Sequence, residues 1–491
     1  MLRYALFLLI SAVLYGYYNL YHTGSTAWKK PHVLFITADD LGYSDVGFRN
    51  KEIISPNIDG LAQEGVILSA SYLQPFCTPS RAAILTGKYP YKIGMQLPFA
   101  IDHKACLPLN ETLLSQRLKK AGYKTHALGK WHLGFCNWDC TPTRRGFDTF
   151  YGMYAAYGDK LLHINYNSDD SEEGLDFRDN DRLATEVTGQ YSTDLYGKRA
   201  VSLIEHHNTE YPLFMWLAFQ NVHSPVTVPD EYIQMYPGMD RDKASYYGTV
   251  TIVDEYMGKI IAALKKRDMY DNSLIIFTSD NGATLYSIGA SNAPFRGEKS
   301  TVWEGGTRGV TLIAGTKAIK KKGYTHDGLF HAIDWTPTIM HFAQQSLDSD
   351  TMLDGVDQYD MIYKGDNSKR TEFIYQVMPD HKTAVRVGKY KLVMGLPGQK
   401  FHSVETAKER GFTKTMLPTH DIYTTDSNIM LFNLEDDPGE TTDISERHPD
   451  IVKKLKAKVE AARADYKQID LKIDPLAAPS HFDGSWSPGW C

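Results

Sequence analysis

The sequence predicts an α/β fold in which helices sandwich a large mixed sheet, followed by a smaller C-terminal α+β domain with an antiparallel sheet. Two observations support this prediction. Apolar, strand-like runs alternate with helical segments from about residue 32 to 370, which is typical of a sheet covered by helices. From about Thr371, short strands with intervening turn residues lead into a charged terminal helix.

The individual elements follow from hydrophobic periodicity and from helix start and stop signals. Buried strands are predicted at 32–37, 126–128, 213–219 and 273–278, and helices at 58–64, 80–86, 112–121 and 246–266. Strands at 390–394 and 430–434 and a helix at 450–466 are predicted in the C-terminal part. The polar, weakly patterned segments 165–181 and 398–428 are predicted to be surface loops.

A chain of 491 residues exceeds one ordinary core, so we expect two domains, residues 28–370 and 371–491. Residues 1–27 indicate a targeting segment, because Arg3 precedes an apolar run and small residues follow it at Gly24, Ser25 and Ala27. This pattern favours a cleaved secretory signal. The alternative is an uncleaved membrane anchor, since the run is nearly long enough to span a bilayer.

The charge balance excludes one class of partner. The net charge of −6 provides no basic field for nucleic acid. The same charge would repel polyanionic ligands, so binding of an anionic substrate requires a local cationic pocket.

Polar residues follow the carboxyl ends of several predicted strands, the edge at which open α/β sheets bind ligands. These residues are Asp39, Asp40, Lys130, His132, His223, Asp280 and Asn281. The acidic residues and Asn281 offer only oxygen ligands, which suit a hard cation such as calcium or magnesium. The alternative is that an Asp after a strand caps a helix or forms a turn.

Cys77 begins a predicted helix, where backbone N–H groups stabilise an anion. A disulfide half-cystine, a buried thiol and a thiolate nucleophile paired with His are the readings that the residue types alone allow.

The residues around Cys77 make a more specific pattern. The run Cys77-Thr78-Pro79-Ser80-Arg81-Ala82-Ala83-Ile84-Leu85-Thr86-Gly87 resembles the sulfatase signature, in which Cys-x-Pro-x-Arg directs oxidation of the Cys to formylglycine. Gly129-Lys130-Trp131-His132-Leu133-Gly134 resembles the second sulfatase motif. Segments 143–148 and 303–309 are similar to the arylsulfatase B branch, which includes arylsulfatases I and J. The resemblance extends from Pro31 to about Asp443 and implies the alkaline-phosphatase-like sulfatase fold.

The resemblance implies a calcium-dependent sulfuric ester hydrolase. Asp39, Asp40, Asp280, Asn281 and a formylglycine at position 77 would hold one Ca²⁺, and Arg81 would hold the modified residue. Lys130 and Lys299 would bind sulfate oxygens, while His132 and His223 would manage protons. Taken singly, each histidine would be a core or surface residue and Lys299 a solvated loop lysine.

The implied reaction uses the hydrated aldehyde of residue 77, whose first hydroxyl attacks sulfur and whose second hydroxyl enables release of sulfate. His223 would protonate the leaving oxygen and His132 would take the proton of the second hydroxyl. The implied substrates are an aryl sulfate or a sulfated carbohydrate such as N-acetylgalactosamine 4-sulfate of glycosaminoglycans. The implied maturation partner is the formylglycine-generating enzyme.

The chain has five cysteines, and Cys106, Cys136, Cys140 and Cys491 remain once Cys77 is set aside. They allow three pairings, between which the sequence does not choose. A Cys106–Cys140 bridge resembles one in arylsulfatase B, which would leave Cys136 for Cys491 in a departure from the family pattern. Asn110 is an N-glycosylation acceptor, in keeping with a lysosomal or secreted protein.

Two other functions compete with this one. A phosphatase or phosphodiesterase on the related alkaline-phosphatase fold would use a Ser or Thr nucleophile and usually two zinc ions. A catalytically inactive sulfatase would instead retain sulfated glycans as a binding protein.

Overall fold

The computed structural model describes residues 29–315, 317–347, 352–378, 383–395 and 429–491. The predicted targeting segment and the predicted loop at 398–428 lie outside these ranges, so both stay predictions. The domain boundaries also stay a prediction. In the described part of the chain, no helix combines the length and the apolar character that crossing a membrane requires.

The strands are β1 His32–Ala38, β2 Val66–Leu68, β3 Ser71–Tyr72, β4 Lys124–Lys130, β5 Thr149–Met153, β6 Ile164–Tyr166, β7 Glu173–Leu175, β8 Arg178–Asp179, β9 Arg182–Leu183, β10 Leu213–Ala218, β11 Ser273–Ser279, β12 Thr311–Ala314, β13 Tyr324–His326, β14 Phe330–His331, β15 Glu372–Gln376, β16 Thr383–Val387, β17 Tyr390–Met394 and β18 Ile429–Asn433. The α-helices are Pro56–Glu64, Cys77–Thr86, Pro90–Ile93, Leu114–Lys120, Ser192–Glu205, Asp230–Gln234, Arg241–Lys266, Glu304–Thr307, Trp335–Phe342, Tyr359–Lys364 and Pro449–Ala464.

Within the described residues, ten strands form one mixed sheet in the order β13-β2-β12-β11-β1-β10-β4-β5-β8-β9. Its centre is parallel, with β1 between β10 and β11 and with β4 beyond β10. Every residue of β1, β10 and β11 is buried, which agrees with their continuous apolar sequences. The predicted mixed sheet is confirmed.

Helices cover both faces of this sheet. Leu34 and Ile36 belong to a core cluster with residues of the long Arg241–Lys266 helix. Phe35, between them in the strand, stacks on Trp216 with ring centroids 5.0 Å apart and meets Trp335 edge-on at 5.3 Å. Because successive side chains of a strand point to opposite faces, these contacts belong to two different helical layers.

The smaller sheet is antiparallel, in the order β15-β16-β17-β18. The Pro449–Ala464 helix buries Leu455 and Val459 in a cluster with side chains of this sheet. Pro449 lies in the first turn of this helix, where its missing N–H costs no hydrogen bond. The predicted antiparallel C-terminal sheet is therefore confirmed.

Three sequence predictions need correction. The long helix begins at Arg241 rather than Tyr246, since the side chain of Asp240 accepts hydrogen bonds from the first turn. The predicted 112–121 helix is shorter, Leu114–Lys120. The prediction of a surface loop at 165–181 is wrong, because β6 pairs with β7 in a hairpin and β8 joins the large sheet.

A buried ionic cluster connects the 303–309 segment to the small sheet. Lys391 Nζ lies 3.0 Å from Glu304 and 2.7 Å from Glu440, and all three side chains are inaccessible to solvent. Tyr72 and Tyr375 donate hydrogen bonds to Glu304 at 2.6 and 2.8 Å. Burial raises the pKa of Glu440 to about 7, although Lys391 opposes that rise.

This raised pKa predicts a pH-dependent stability. The folded pKa exceeds the ordinary glutamate value of 4.5, so folding favours the protonated carboxyl, and the free energy of unfolding falls as pH rises from 4.5 to 7. Glu440→Gln has no proton to lose at this position. We expect the free energy of unfolding of this variant to fall by on the order of 1–3 kcal/mol less than that of the wild type over the same pH range. Unfolding midpoints measured between pH 5 and 7.5 test this.

The matched control is Glu372→Gln, since the Glu372 side chain is 46 % exposed in its ion pair with Lys458. This variant should follow the wild-type pH profile. Parallel profiles for Glu440→Gln and the wild type would contradict the prediction.

Candidate active site

Two acidic pairs meet at the carboxyl edge of the large sheet. Asp39 and Asp40 follow β1, while Asp280 and Asn281 follow β11, and the two strands are parallel neighbours in register. The backbone N–H of Asp40, which has a φ of 60°, donates to Asp280 Oδ1 at 3.3 Å. The topology therefore holds these four residues beside one another, and they are the four that the sequence predicted as metal ligands.

This cluster has the donor set of a hard-cation site. One ligand atom each from Asp39, Asp40, Asp280 and Cys77 lie within 4.8 Å of one another, and all four residues are buried. Asn281 donates to Asp40 through Nδ2 at 2.7 Å, while its buried Oδ1 has no hydrogen-bond partner in the described structure. Burial and the charge of Asp39 raise the pKa of Asp280 to about 6. Both the unpartnered oxygen and the crowded carboxylates fit a bound cation.

Cys77 is the first residue of the Cys77–Thr86 helix and is 2 % exposed. Its Sγ lies 3.4 Å from Asp39 Oδ1. Burial, together with Asp280 and Asp39, raises the pKa of the Cys77 thiol well above its usual range. The neighbouring carboxylates therefore disfavour a thiolate at this position.

Arg81 lies on the same helix and is fully buried. Its Nε and Nη2 donate to Asp280 Oδ2 at 3.1 and 2.8 Å, and its Nη1 donates to the Lys130 carbonyl at 2.6 Å. Arg81 thus neutralises one carboxylate and connects the Cys77 helix to the end of β4. It is therefore bonded within the cluster and is not a surface charge.

Two lysines bring further positive charge to the carboxylates. Lys130, the last residue of β4, lies 2.6 Å from Asp39 Oδ2, and Lys299 lies 2.8 Å from Asp40 Oδ1. Gly129 immediately before Lys130 has a φ of +88°, and a Cβ there would lie 1.9 Å from the Ala218 carbonyl oxygen. Glycine is therefore needed for β4 to approach β10 where Lys130 enters the site.

His132 is buried and has a defined tautomer. Its Nε2 lies 3.0 Å from the Phe99 carbonyl oxygen, so Nε2 carries the proton, and its buried Nδ1 has no partner in the described structure. Burial, with Lys130 and Arg81 nearby, lowers the pKa of His132 well below the usual histidine value. A neutral imidazole with a free lone pair is a proton acceptor.

His223 approaches the cluster from the loop after β10. Its Nδ1 donates to the Ser224 carbonyl at 2.6 Å, and its Nε2 lies 3.6 Å from Asp40 Oδ2. Burial and Lys299 lower the pKa of His223 to about 4. The nitrogen that faces the cluster is thus Nε2, which is available to exchange a proton.

Four of these residues line a pocket of about 380 Å³. Cys77, His132, His223 and Lys299 line its base, and the half-exposed rings of Tyr157 and Tyr166 line it farther out. The Tyr157 ring is parallel to that of His223, with centroids 6.0 Å apart. The pocket therefore joins a polar, charged floor to an aromatic wall.

Sequence reasoning missed Lys160, which is 1 % exposed. Its Nζ donates to the carbonyls of His223 and Pro225 at 2.8 and 2.6 Å. Burial lowers the pKa of Lys160 to about 8. No sequence signal marks this lysine, because both its partners are backbone atoms more than 60 residues away.

The structure contains disulfides between Cys106 and Cys140 and between Cys136 and Cys491. Cys77 is free and buried. The Cys106–Cys140 bridge is the one implied by the resemblance, and Cys136–Cys491 is the pair that it leaves, which departs from the family pattern. Asn110, the predicted glycosylation acceptor, is exposed.

Comparison with known proteins places this site in a family. A family model described as Sulfatase matches residues 31–345, and one described as the C-terminal region of aryl-sulfatase matches 367–485. The chain belongs to the sulfatase family. It is a sulfuric ester hydrolase of the arylsulfatase type.

Relatives of this sulfatase match nearly its whole length. Arylsulfatase J of Mus musculus is 36 % identical over 497 residues, covering 95 % of this chain and 81 % of that protein. N-acetylgalactosamine-6-sulfatase of Homo sapiens is 29 % identical over 455 residues, covering 86 % of this chain and 83 % of that protein. The crystal structure of Ps i-CgsB is 29 % identical with a TM-score of 0.78, covering 91 % and 96 % of the two chains.

The buried Arg81–Asp280 pair of this sulfatase generates a prediction. Replacing Arg81 by Met keeps an unbranched apolar side chain but leaves Asp280 without its guanidinium. In calcium-free buffer we expect the free energy of unfolding to fall by about 3–5 kcal/mol, the cost of an unpaired buried charge. Denaturant unfolding of the purified variant measures it.

Arg144→Met is the matched control, because Arg144 pairs with Asp181 at 2.9 Å with both side chains exposed. Its loss should cost less than about 1 kcal/mol. Equal effects of the two substitutions would show that Arg81 is not needed to balance the cluster.

Proposed function

We propose that this sulfatase cleaves sulfate monoesters of a sulfated sugar, such as N-acetylgalactosamine 4-sulfate of glycosaminoglycans, with a formylglycine made from Cys77 and one calcium ion. One observation carries the proposal: Cys77, His132, His223 and Lys299 line one pocket, and Cys77, Lys130 and Lys299 lie against the acidic cluster. Asp39, Asp40, Asp280 and Asn281 would hold the ion, together with residue 77.

The charges of the site suit a sulfate monoester, whose anionic oxygens repel a nucleophile. Lys130 and Lys299 each lie within 3 Å of a carboxylate, which keeps two ammonium groups beside the acidic cluster without substrate, and Lys299 also lines the pocket. Calcium, when bound, supplies further positive charge to stabilise the sulfate group in the transition state. Asp39 and Asp40 would hold the ion, and Lys130 and Lys299 would then be free to bind sulfate oxygens.

The nucleophile would come from residue 77. A hydrated formylglycine supplies one hydroxyl to attack sulfur and a second whose deprotonation allows sulfate to leave, which an ordinary serine cannot do. A reactive thiolate would be the simpler alternative, and the burial of Cys77 between Asp39 and Asp280 disfavours it.

The two histidines divide the proton transfers. His132, neutral with its Nδ1 lone pair free, accepts the proton of the second hydroxyl. His223, whose Nε2 faces the cluster, delivers a proton to the leaving oxygen. The negative charge of a bound sulfate ester offsets the positive charge of Lys299. This change favours the protonated form of His223, which the role of proton donor requires.

A sugar substrate is supported by the pocket and by the relatives. Tyr157 and Tyr166, which line the pocket and are 42 % and 43 % exposed, offer aromatic surface that suits the C–H groups of a pyranose ring. N-acetylgalactosamine-6-sulfatases are among the similar proteins. Ps i-CgsB is known in complex with k-i-k-neocarrahexaose. The 4-sulfate and the 6-sulfate of N-acetylgalactosamine are therefore the first substrates to compare.

We also propose that the protein matures in the secretory pathway and acts in lysosomes or outside the cell. The two disulfides and the exposed Asn110 support an oxidising compartment in which glycans are attached. The formylglycine-generating enzyme would be its maturation partner there. The targeting segment 1–27 remains either a cleaved signal or an anchor in this proposal.

The modification of Cys77 is the first test. In protein from a secretory host, peptide mass spectrometry across residues 77–87 should find formylglycine at position 77, and the same sample should hydrolyse an aryl sulfate. Cys77→Ala should abolish turnover, because it removes the nucleophile.

Protein from a host that lacks the modifying enzyme is the control, and its activity should fall in proportion to its formylglycine content. An unmodified Cys77 in a competent host would overturn the mechanism and favour the glycan-binding protein. Full activity with an unmodified Cys77 would contradict the proposal that formylglycine is the nucleophile.

Calcium binding has a readout that is independent of activity. After dialysis against a chelator, addition of Ca²⁺ should raise the thermal unfolding midpoint, because the ion binds only the folded cluster. Asn281→Ala removes the unpartnered Oδ1 and should require at least about tenfold more Ca²⁺ for the same shift.

Asn208→Ala, at an exposed position, is the control and should respond as the wild type does. A midpoint raised by Zn²⁺ but not by Ca²⁺ would contradict the calcium site and favour the two-zinc phosphatase.

A further inference from the structure

The C-terminal tail, residues 467–491, contacts the 98–104 loop, the β6–β7 hairpin and the loop that follows His132. Near its start, the Lys472 carbonyl accepts from Lys104 N at 2.8 Å, and Asp474 N donates to the Asp102 carbonyl at 3.0 Å. At its end, Gly489 and Trp490 donate to the Cys136 carbonyl, and Cys491 forms a disulfide with Cys136. Cys136 lies four residues after His132.

Between these contacts, the tail adds a strand-like segment to the β6–β7 hairpin. Leu175 N donates to the Gly484 carbonyl, and Trp486 N donates to the Leu175 carbonyl, both at 3.0 Å. The fully buried Trp486 ring donates through Nε1 to the Asn165 carbonyl at 3.0 Å. A Cβ at Gly174 would lie 2.7 Å from Pro479 and 3.1 Å from Trp486, so glycine permits this close approach.

The hairpin carries one side of the pocket. Asn165, Tyr166, Asn167 and Ser168 all line it. Ser168 in turn donates to Asp102 through both its backbone N–H and its hydroxyl, which joins the hairpin to the 98–103 side of the pocket. The Asp102 backbone carbonyl is itself held by the tail at Asp474.

We propose that Trp486 is a positioning residue for substrate recognition, which holds the β6–β7 hairpin so that Tyr166 and its neighbours contact the sugar that bears the sulfate. This inference rests on the proposed function of the pocket. Trp486 touches no residue of the acidic cluster among the contacts described above, so its effect belongs to sugar binding and not to sulfate transfer. The Cys136–Cys491 disulfide fixes the end of the same tail.

The test compares two matched substitutions in the tail. Trp486→Phe removes the N–H that bonds Asn165, whereas Trp490→Phe removes an N–H that has no partner in the described structure. For an N-acetylgalactosamine sulfate that the wild type hydrolyses, Trp486→Phe should raise KM about three- to tenfold, with kcat within about twofold. For a small aryl sulfate, both parameters should stay within about twofold, and Trp490→Phe should match the wild type on both substrates.

Hydrogen exchange provides the second measurement. Amides of residues 164–175 should exchange faster in Trp486→Phe than in Trp490→Phe or the wild type. The double variant Cys136→Ala/Cys491→Ala should shift KM and exchange in the same direction if Trp486→Phe does not fold. Unchanged KM for the sugar, or unchanged exchange in the hairpin, would overturn the inference.

The outcomes separate this inference from the proposed function. If the wild type hydrolyses the aryl sulfate but neither sugar sulfate, the proposed substrate fails, and the exchange experiment alone decides whether Trp486 positions the hairpin. If the wild type hydrolyses the sugar and the variants do not differ, the proposed function holds and the role of Trp486 fails.

Discussion

The parallel pairing of β1 with β11 is the constraint on which the site depends. It ends two strands at the same edge, so that Asp39 and Asp40 lie against Asp280 and Asn281. Buried carboxylates this close repel one another, and the structure offsets that repulsion with cations from three separate segments, Arg81, Lys130 and Lys299. The positions of the Cys77 helix, of the β4 end and of the Lys299 loop are therefore coupled through charge.

Most of the fold and of this cluster could be predicted from sequence. Continuous apolar runs identified β1, β10 and β11, and polar residues after them identified the binding edge, because both signals are local. The signature around Cys77 and the 129–134 motif supplied the rest by resemblance. The partners of Arg81 could not be read from the sequence, since Asp280 is 199 residues away and its other partner is a backbone carbonyl.

The sequence predictions failed where a segment is held in place by residues that are distant from it in the sequence. Segment 165–181 has no strand periodicity, yet its hairpin is held by buried Asp176, which accepts from Tyr154 and Ala155, and by Trp486 more than 300 residues away. The Lys160 ammonium group likewise donates to two backbone carbonyls of another loop. Asp240 did offer a local signal as a helix cap. Its side chain accepts from the N–H groups of Asp242 and Lys243, which starts the helix five residues before Tyr246.

The burial of Cys77 has a consequence for the order of events during biosynthesis. Its side chain is 2 % exposed in the folded protein, and the residues that follow it are buried. A modifying enzyme therefore cannot bind this segment once the sheet has formed. The proposed oxidation therefore belongs to the nascent, unfolded chain. The Cys136–Cys491 bridge spans 355 residues and closes only after the C-terminal tail has been synthesised. Residue 77 would thus be oxidised first, and the disulfide that fixes the C-terminal tail against the pocket loops would form last.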